Sequence, residues 1–216
     1  MPVTGLARYG KLFQNIQNPF EYLADKFTGK KKQTLNLITK PNTIHFPIHR
    51  SLYLVFKEIF LNDVYAINEL VKKLPANPII VDIGANVGFF NIILLSKIKQ
   101  ATVYAYEPIP ANVQYFKNVI SNNSSLNKNS NISIYQAAVT GLPKENLTLF
   151  MEATDDNQVV ASVFENFNEH NTRKITVPCV TLTQIIEQNN LSKIDLLKID
   201  CEGSEYDIIY NTSPAL

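Results

Sequence analysis

The sequence lacks most of the features that assign a chain to a class at first sight. Its two cysteines, Cys179 and Cys201, lie far apart and form no Cys-x-x-Cys pair, which predicts a reducing compartment and no zinc site. Lysine and arginine number 20 against 19 acidic residues, so charge favours neither nucleic acid nor an anionic membrane as a partner. The apolar fraction of 45% is nevertheless enough for a sizeable core.

Long apolar segments are also missing. No run reaches about 18 apolar residues, and the N-terminus has no short apolar core of a signal peptide. We therefore expect no membrane span and a cytoplasmic location. A length of 216 residues suits one main domain with an addition. We predict an N-terminal α+β subdomain of helices and a hairpin over residues 1–75, and an α/β domain over residues 76–216.

Apolar runs alternate with helical patterns in the second domain. We predict strands over residues 79–82, 102–107, 132–139 and 194–200, separated by helices except in a less regular region with strands at 147–151 and 175–180. Such alternation is typical of a parallel, doubly wound sheet. In the N-terminal part we predict a short helix from Pro19, a hairpin over residues 35–48 and helices over 51–74, broken near Asn62.

The stretch from Ile79 to Phe90 is a strand, a turn with two glycines and a helix. A dinucleotide fingerprint requires glycines at its third and sixth positions, where this chain has Asn86 and Phe89. A phosphate-binding P-loop requires Gly-Lys-Ser/Thr, but Phe89 follows Gly88. The remaining pattern, Asp82 followed by Gly-x-x-x-Gly, resembles the first motif of S-adenosylmethionine-dependent methyltransferases. An ordinary strand-to-helix turn is the alternative.

Three predicted strands end in carboxylates: Asp82, Glu107 and Asp200. Ligands of open α/β sheets bind outside the carboxyl ends of the strands. Glu107 lies 23 residues after Gly84, close to the spacing at which an acid meets the ribose hydroxyls of an adenosine cofactor. A carboxylate suits that role because it can accept a hydrogen bond from both hydroxyls. A helix cap is the alternative role for a single strand-end acid.

The segment Lys-Ile-Asp-Cys-Glu-Gly at residues 198–203, together with VDIGANVGFF at 81–90 and YAYEP at 104–108, resembles the FkbM-type methyltransferases. The resemblance implies a Rossmann-like fold, S-adenosylmethionine as methyl donor, and O-methylation of a carbohydrate or secondary metabolite. It assigns eleven residues to the cofactor site, the last three beside the adenine: Asp82, Gly84, Ala85, Asn86, Gly88, Phe89, Glu107, Pro108, Gln136, Ala137 and Ala138.

Methyl transfer to a hydroxyl benefits from a base, and the resemblance places Asp200 and Glu202 beside the sulfonium and the acceptor. Lys198 is a third catalytic candidate, with an ion pair to a neighbouring acid as its alternative role. Asp200, Glu202 and Glu205 carry ligands that suit magnesium, but we expect no metal because a strand-to-helix connection need not bring three carboxylates together. Cys201 is expected to be a small buried residue.

The predicted sheet lacks strands at one edge. A methyltransferase sheet of this type has three strands beyond the helix after Asp200, and residues 194–199 would otherwise form an apolar edge that invites association. We therefore expect a longer chain, a homo-oligomer or another partner to complete the sheet. The expected substrate is a small-molecule or glycan hydroxyl, with neither nucleic acid nor a membrane as partner. Two alternatives remain: a nicotinamide-dependent oxidoreductase and a catalytically silent module used for assembly.

Overall fold

The computed structural model describes residues 2–28, 32–152, 161–162, 171–201 and 203–212. The chain forms two compact units, each assembled from three segments. The first unit comprises Met1–Asn77, Gly88–Ala101 and Lys117–Asn131, and the second comprises Pro78–Val87, Thr102–Phe116 and Ile132–Leu216. Within the described residues, every helix is too short or too polar to cross a membrane.

The first unit is mostly helical. Its helices are α1 (Ala7–Asn15), α2 (Pro19–Phe27), α3 (Tyr53–Phe56), α4 (Ile67–Lys73), α5 (Phe89–Leu95) and α7 (Ser124–Asn129). A 3₁₀ turn (Arg50–Leu52) precedes α3 and a π-helical turn (Lys57–Leu61) follows it. The predicted hairpin is present as antiparallel strands β1 (Thr34–Ile38) and β2 (His45–His49). The helix from Pro19 and the break near Asn62 are also as predicted, whereas α1 was not predicted.

Phenylalanine rings form the centre of the first unit. Phe46, Phe56, Phe60 and Phe89 are almost fully buried. Phe56 and Phe60 lie four residues apart on consecutive helical turns, so both rings face the same side, and their centroids are 5.0 Å apart. Phe89 meets the ring of Phe60 edge-on at 6.0 Å. Aromatic pairs of this kind contribute about 0.5–1.5 kcal/mol each beyond the area they bury.

The second unit contains the predicted parallel sheet. Its strands are β3 (Ile79–Ile83), β4 (Thr102–Tyr106), β5 (Asn131–Tyr135) and β10 (Leu196–Ile199), in the spatial order β10-β3-β4-β5. The helix α6 (Pro110–Ser121) connects β4 to β5. The chain therefore runs from β3 through β4 to β5 and later returns to the other side of β3. The strand order reverses between β3 and β10, which is where open α/β sheets bind their ligands.

A second sheet differs from the sequence prediction. The single strand predicted over residues 132–139 is divided: β5 ends at Tyr135, and β6 (Ala138–Thr140) pairs in parallel with a strand of another sheet. That sheet has the order β6-β9-β7-β8, formed by β7 (Asn146–Glu152), β8 (Ala161–Ser162) and β9 (Asn171–Thr181). The prediction failed because an apolar run indicates a strand but not the sheet that the strand joins.

Two further helices complete the second unit. The helix α8 (Leu182–Gln188) begins with a capping box, in which the Thr181 hydroxyl accepts from the Gln184 backbone N–H and the Gln184 side chain accepts from the Thr181 N–H. The helix α9 (Glu205–Asn211) follows β10. In the part of the sheet that the structure describes, β10 is an edge strand, as the sequence predicted.

Candidate functional site

A cavity of about 70 Å³ lies at the carboxyl ends of the parallel strands in the second unit. Its lining comes from β3, β4, β6, β7 and the segment that follows β10. Sixteen residues contribute to it: Ile83, Gly84, Asn86, Tyr106, Glu107, Pro108, Ile109, Asn112, Ala137, Ala138, Val139, Leu147, Leu149, Asp200, Cys201 and Ser204. The cavity is therefore at the point where the strand order of the sheet reverses.

The glycine loop is held tightly against its neighbouring strands. The backbone N–H groups of Gly84 and Ala85 both donate to the carbonyl of Tyr106, at 3.0 Å each. Gly84 has a φ of 76°, and a Cβ atom there would lie 1.9 Å from the carbonyl oxygen of Asp200. Glycine is thus required at position 84 by the close approach of the segment after β10, a reason that the sequence alone did not reveal.

Asn86 and Gly88 also adopt left-handed conformations, with φ values of 51° and 78°. The side-chain oxygen of Asn86 accepts a hydrogen bond from the Val87 N–H at 2.7 Å, which stabilises this conformation for a residue other than glycine. Gly88 is the N-cap residue that immediately precedes α5. The loop therefore turns sharply and presents the backbone N–H of Asn86 to Glu107.

Glu107 is the buried acid of the site. Its carboxylate accepts from the backbone N–H groups of Asn86 (2.8 Å) and Ile109 (3.0 Å) and from the side-chain amide of Asn112 (3.2 Å). Burial raises the pKa of Glu107 above its usual value, against the opposing effect of these hydrogen bonds. A carboxylate has about four acceptor positions, so the three hydrogen bonds leave room for another donor.

Asp82 and Lys198 form a buried ion pair inside the sheet. They are register partners on β3 and β10, so their side chains share one face, and the Lys198 ammonium lies 2.9 Å from an oxygen of Asp82. The same ammonium donates to the carbonyl of Gly84 at 2.9 Å. This is the ion-pair role that the sequence offered as the alternative for Lys198. Neither side chain lines the cavity. The pair instead holds together the ends of β3 and β10, next to residues that line it.

The segment after β10 brings Asp200 to the cavity. Its carboxylate is 48% exposed and lies 4.0 Å from the Lys198 ammonium. Glu202 lies outside the described residues. Glu205 accepts from the backbone N–H groups of Cys201 (2.8 Å) and Gly203 (2.9 Å), so it holds the loop in place. Within the described part of the chain, no three metal-ligating side chains come together.

Cys201 lines the cavity and is partly buried. Burial and the neighbouring Glu205 carboxylate raise the pKa of its thiol to about 12. The thiol is therefore protonated at neutral pH and is a poor nucleophile. This environment agrees with the role of a small buried residue that the sequence predicted.

The remaining predicted cofactor residues divide into two groups. Pro108, Ala137 and Ala138 line the cavity. Three others contribute no lining: Ala85 is buried, Gln136 is exposed on the surface, and Phe89 packs in the phenylalanine cluster of the first unit. Their assignment to the cofactor site stays a prediction.

The sequence did not single out several lining residues. Leu147 and Leu149 lie on β7 two residues apart, so both side chains point to the same face of the strand. The alternation of leucines with polar residues predicts that this face of β7 is buried. It does not predict that the face lines a cavity. Asn112, in the first turn of α6 after Pro110, is 1% exposed and donates to Glu107. No sequence pattern indicated this role, because the burial of Asn112 is set by the packing around it.

Comparisons with known proteins find methyltransferases among its relatives. Methyltransferase 1 of Beauveria bassiana (strain ARSEF 2860) is 29% identical over 174 residues, which cover 72% of this chain and 65% of that protein. Methyltransferase sdnD of Sordaria araneosa is 30% identical over 183 residues, covering 72% of this chain and 66% of that protein. A crystal structure of methyltransferase FkbM from Methylobacillus flagellatus KT aligns with a TM-score of 0.40 and 13% identity, over 74% of this chain and 46% of that one.

The alignments thus span just under two thirds of the length of these two curated relatives. The profile of the FkbM methyltransferase domain matches residues 82–214, which begin at the acid of the glycine loop and include Glu107 and Asp200. This match takes in more than half of the chain and the sequence motifs around the cavity. The chain belongs to the family of FkbM methyltransferase domains.

Proposed function

We propose that the cavity at the carboxyl ends of β3, β4 and β10 binds S-adenosylmethionine, and that the protein methylates a hydroxyl of a carbohydrate or secondary metabolite. The observation that carries the proposal is the position of Glu107. Its buried carboxylate lies beside the glycine loop, at the reversal of strand order, with an acceptor position to spare. A ribose hydroxyl is a donor that suits this position.

The rest of the lining fits the other parts of the cofactor. Ile109, Ala137, Ala138 and Leu149 provide apolar surface that suits an adenine ring. Asp200, at the end of β10, provides a carboxylate that suits the positive charge of a sulfonium. The glycine loop contributes Gly84 and Asn86 to the same lining.

The volume of the cavity sets a condition on binding. Pockets for ligands of this size measure about 300–1,000 Å³, whereas this cavity measures about 70 Å³. We propose that the lining moves apart when the cofactor enters. The segment after β10 approaches Gly84 closely at Asp200 and forms one wall of the cavity. This wall is a candidate for the part that moves.

When bound, S-adenosylmethionine supplies a methyl group attached to a positively charged sulfur. The protein has to hold the acceptor oxygen in line with that methyl group, which contributes much of the rate in a displacement reaction. The hydroxyl must also lose its proton, and we propose Asp200 as the base, with Glu202 as the second candidate. The Asp200 carboxylate is 48% exposed, so it lies within reach of solvent and of an acceptor hydroxyl.

Calorimetric titration tests the cofactor assignment. We expect S-adenosylhomocysteine to bind and NAD not to bind. The variant Glu107→Gln should weaken binding about tenfold or more, because it removes a charged acceptor from a buried site. Glu187→Gln, an exposed substitution on α8 with the same change of charge, is the matched control and should bind as wild type does.

Each other outcome has a definite meaning. Binding of NAD alone would support an oxidoreductase, and binding of neither ligand would support a silent assembly module. Mass spectrometry of candidate glycans and metabolites after incubation with a labelled methyl donor identifies the acceptor. Asp200→Asn tests the base: turnover with an unchanged pH profile would exclude Asp200 from that role.

A further inference from the structure

The first unit has a cavity of its own, of about 240 Å³, that plays no part in the proposed methyl transfer. It is lined by Tyr22, Asp25, Lys26, Arg50, Tyr53 and Lys57, which come from α2, the 3₁₀ turn, α3 and the π-helical turn. Three of these side chains are cations and one is an anion. The lining is therefore polar and carries a net positive charge.

Asp25 is the buried acid of the cavity lining and accepts hydrogen bonds from its neighbours. Its side chain is only 2% exposed, and its carboxylate accepts from the backbone N–H of Lys32 (2.7 Å) and the hydroxyl of Tyr53 (3.0 Å). The pKa of Tyr53 is raised by burial and by Asp25, so the phenol stays protonated and keeps donating. Asp25 is thus occupied by its neighbours and fixes the ring of Tyr53 in the wall.

Two of the cations have donors to spare. Arg50 reaches Asp25 with one nitrogen at 3.4 Å and lies over the ring of Tyr53 at 5.5 Å. Its guanidinium makes no other hydrogen bond with the residues that the structure describes. The half-buried Lys57 ammonium has no hydrogen bond or ion pair within those residues. Lys26, in contrast, donates to the Tyr9 hydroxyl at 2.6 Å.

We infer that this cavity binds a phosphomonoester group. The three cations and one anion leave a net charge of about +2, which a phosphomonoester of about −1.5 to −2 at neutral pH balances and a carboxylate does not. The fork of the Arg50 guanidinium suits two phosphate oxygens, and the Lys57 ammonium suits the third. A volume of 240 Å³ equals roughly eight water molecules, enough for a phosphate and part of its ester group beside the Tyr53 ring.

Calorimetry with phenyl phosphate tests the inference, with phenyl sulfate as a probe of similar shape but a single negative charge. We expect phenyl phosphate to bind, and to bind about tenfold or more tightly than phenyl sulfate. Lys57→Met should weaken phenyl phosphate binding about tenfold. The matched control is Lys72→Met, because Lys72 is an exposed lysine on α4 of the same unit. The affinity of this variant for phenyl phosphate should be within about twofold of that of wild type.

Three results would overturn the inference: no binding to the wild-type protein, equal affinity for the two probes, or equal weakening by the two lysine variants. Thermal unfolding of each variant checks its fold, and Lys57→Met is preferred to a change at Arg50 because it leaves the partners of Asp25 in place. The inference does not rest on the proposed methyltransferase activity. Titrations with phenyl phosphate and S-adenosylhomocysteine can succeed or fail independently.

Discussion

Gly84 has no room for a side chain. Its φ of 76° disfavours other residues, and a Cβ atom would meet the backbone of Asp200 at 1.9 Å. We predict that Gly84→Ala lowers the free energy of unfolding by about 2 kcal/mol or more, measured by urea denaturation.

Gly10 is the control for this substitution. It lies within α1, and a Cβ atom there has no neighbour within 4 Å. Gly10→Ala should therefore be neutral or stabilise the protein by up to about 1 kcal/mol, because alanine favours a helix. Equal effects of the two substitutions would contradict the requirement for glycine at position 84.

We predict that Glu107 makes ligand binding depend on pH. Burial raises its pKa, so this carboxylate takes up a proton at a higher pH than an ordinary glutamate does. The ionised form is the better acceptor for hydroxyl donors, and we expect the affinity for S-adenosylhomocysteine to fall as the pH is lowered through the raised pKa. Calorimetry at a series of pH values measures this effect.

The Glu107→Gln variant shows how much of the pH dependence of the affinity comes from Glu107 and how much comes from other titrating groups. Its affinity should be lower than that of wild type and should not follow the same pH dependence. The stability of the protein gives a second measurement of the same group. Because the folded-state pKa is raised, Glu107 stabilises the fold relative to the variant at low pH, and this contribution is lost as the pH rises through the folded-state value.

At the scale of elements, the Asp82–Lys198 pair joins β10 to β3. Lys198→Met would leave the Asp82 carboxylate buried without this cation, and we predict a loss of about 3–5 kcal/mol in the free energy of unfolding. Adding Asp82→Asn removes the buried charge, so the double variant should recover a large part of that loss. Denaturant unfolding of the two variants and the wild type measures the coupling.

This comparison also separates a structural role of Lys198 from a chemical one. If the double variant folds and transfers the methyl group of a labelled donor as wild type does, the pair acts by holding the strands. A single variant as stable as wild type would contradict the structural role.

Also at the scale of elements, the sequence predicted the positions of the strands better than it predicted which strands pair with each other. Runs of apolar residues located β3 and β4 to within about one residue, whereas β10 begins two residues later than predicted. The single strand predicted over residues 132–139 was wrong, because β5 and β6 are separate strands that join different sheets. The helix α1 was missed because its apolar residues are interspersed with glycine, glutamine and basic residues, and its burial depends on contacts far away in the chain.

At the scale of the molecule, the first unit is discontinuous in sequence. Phe89 packs against Phe46 and Phe60, and the side chain of Asn123 exchanges two hydrogen bonds with the backbone of His45. We predict that a fragment of residues 1–75 does not fold cooperatively, because it lacks these partners. Near-ultraviolet circular dichroism and the dispersion of amide signals in NMR spectra test the prediction.

A cooperatively folded fragment would instead support the boundary near residue 75 that the sequence predicts. The matched comparison is a fragment of residues 1–131, which contains all three segments of the first unit. It should retain more native signal than residues 1–75, although it also carries β3 and β4 of the second unit without their neighbours β10 and β5.

The sequence by itself determined the acidic and glycine motifs of the candidate site. The order of Asp82, Gly84, Glu107 and Asp200 along the chain identified strand ends and a family, because local patterns of apolar and acidic residues report on neighbouring positions. Only the tertiary structure decided that Asp82 pairs with Lys198, that Gly84 is required by Asp200, and that Asn112 and Leu149 join the cavity. These relations depend on which distant segments pack together, and packing is set by the whole fold rather than by the spacing of residues along the chain.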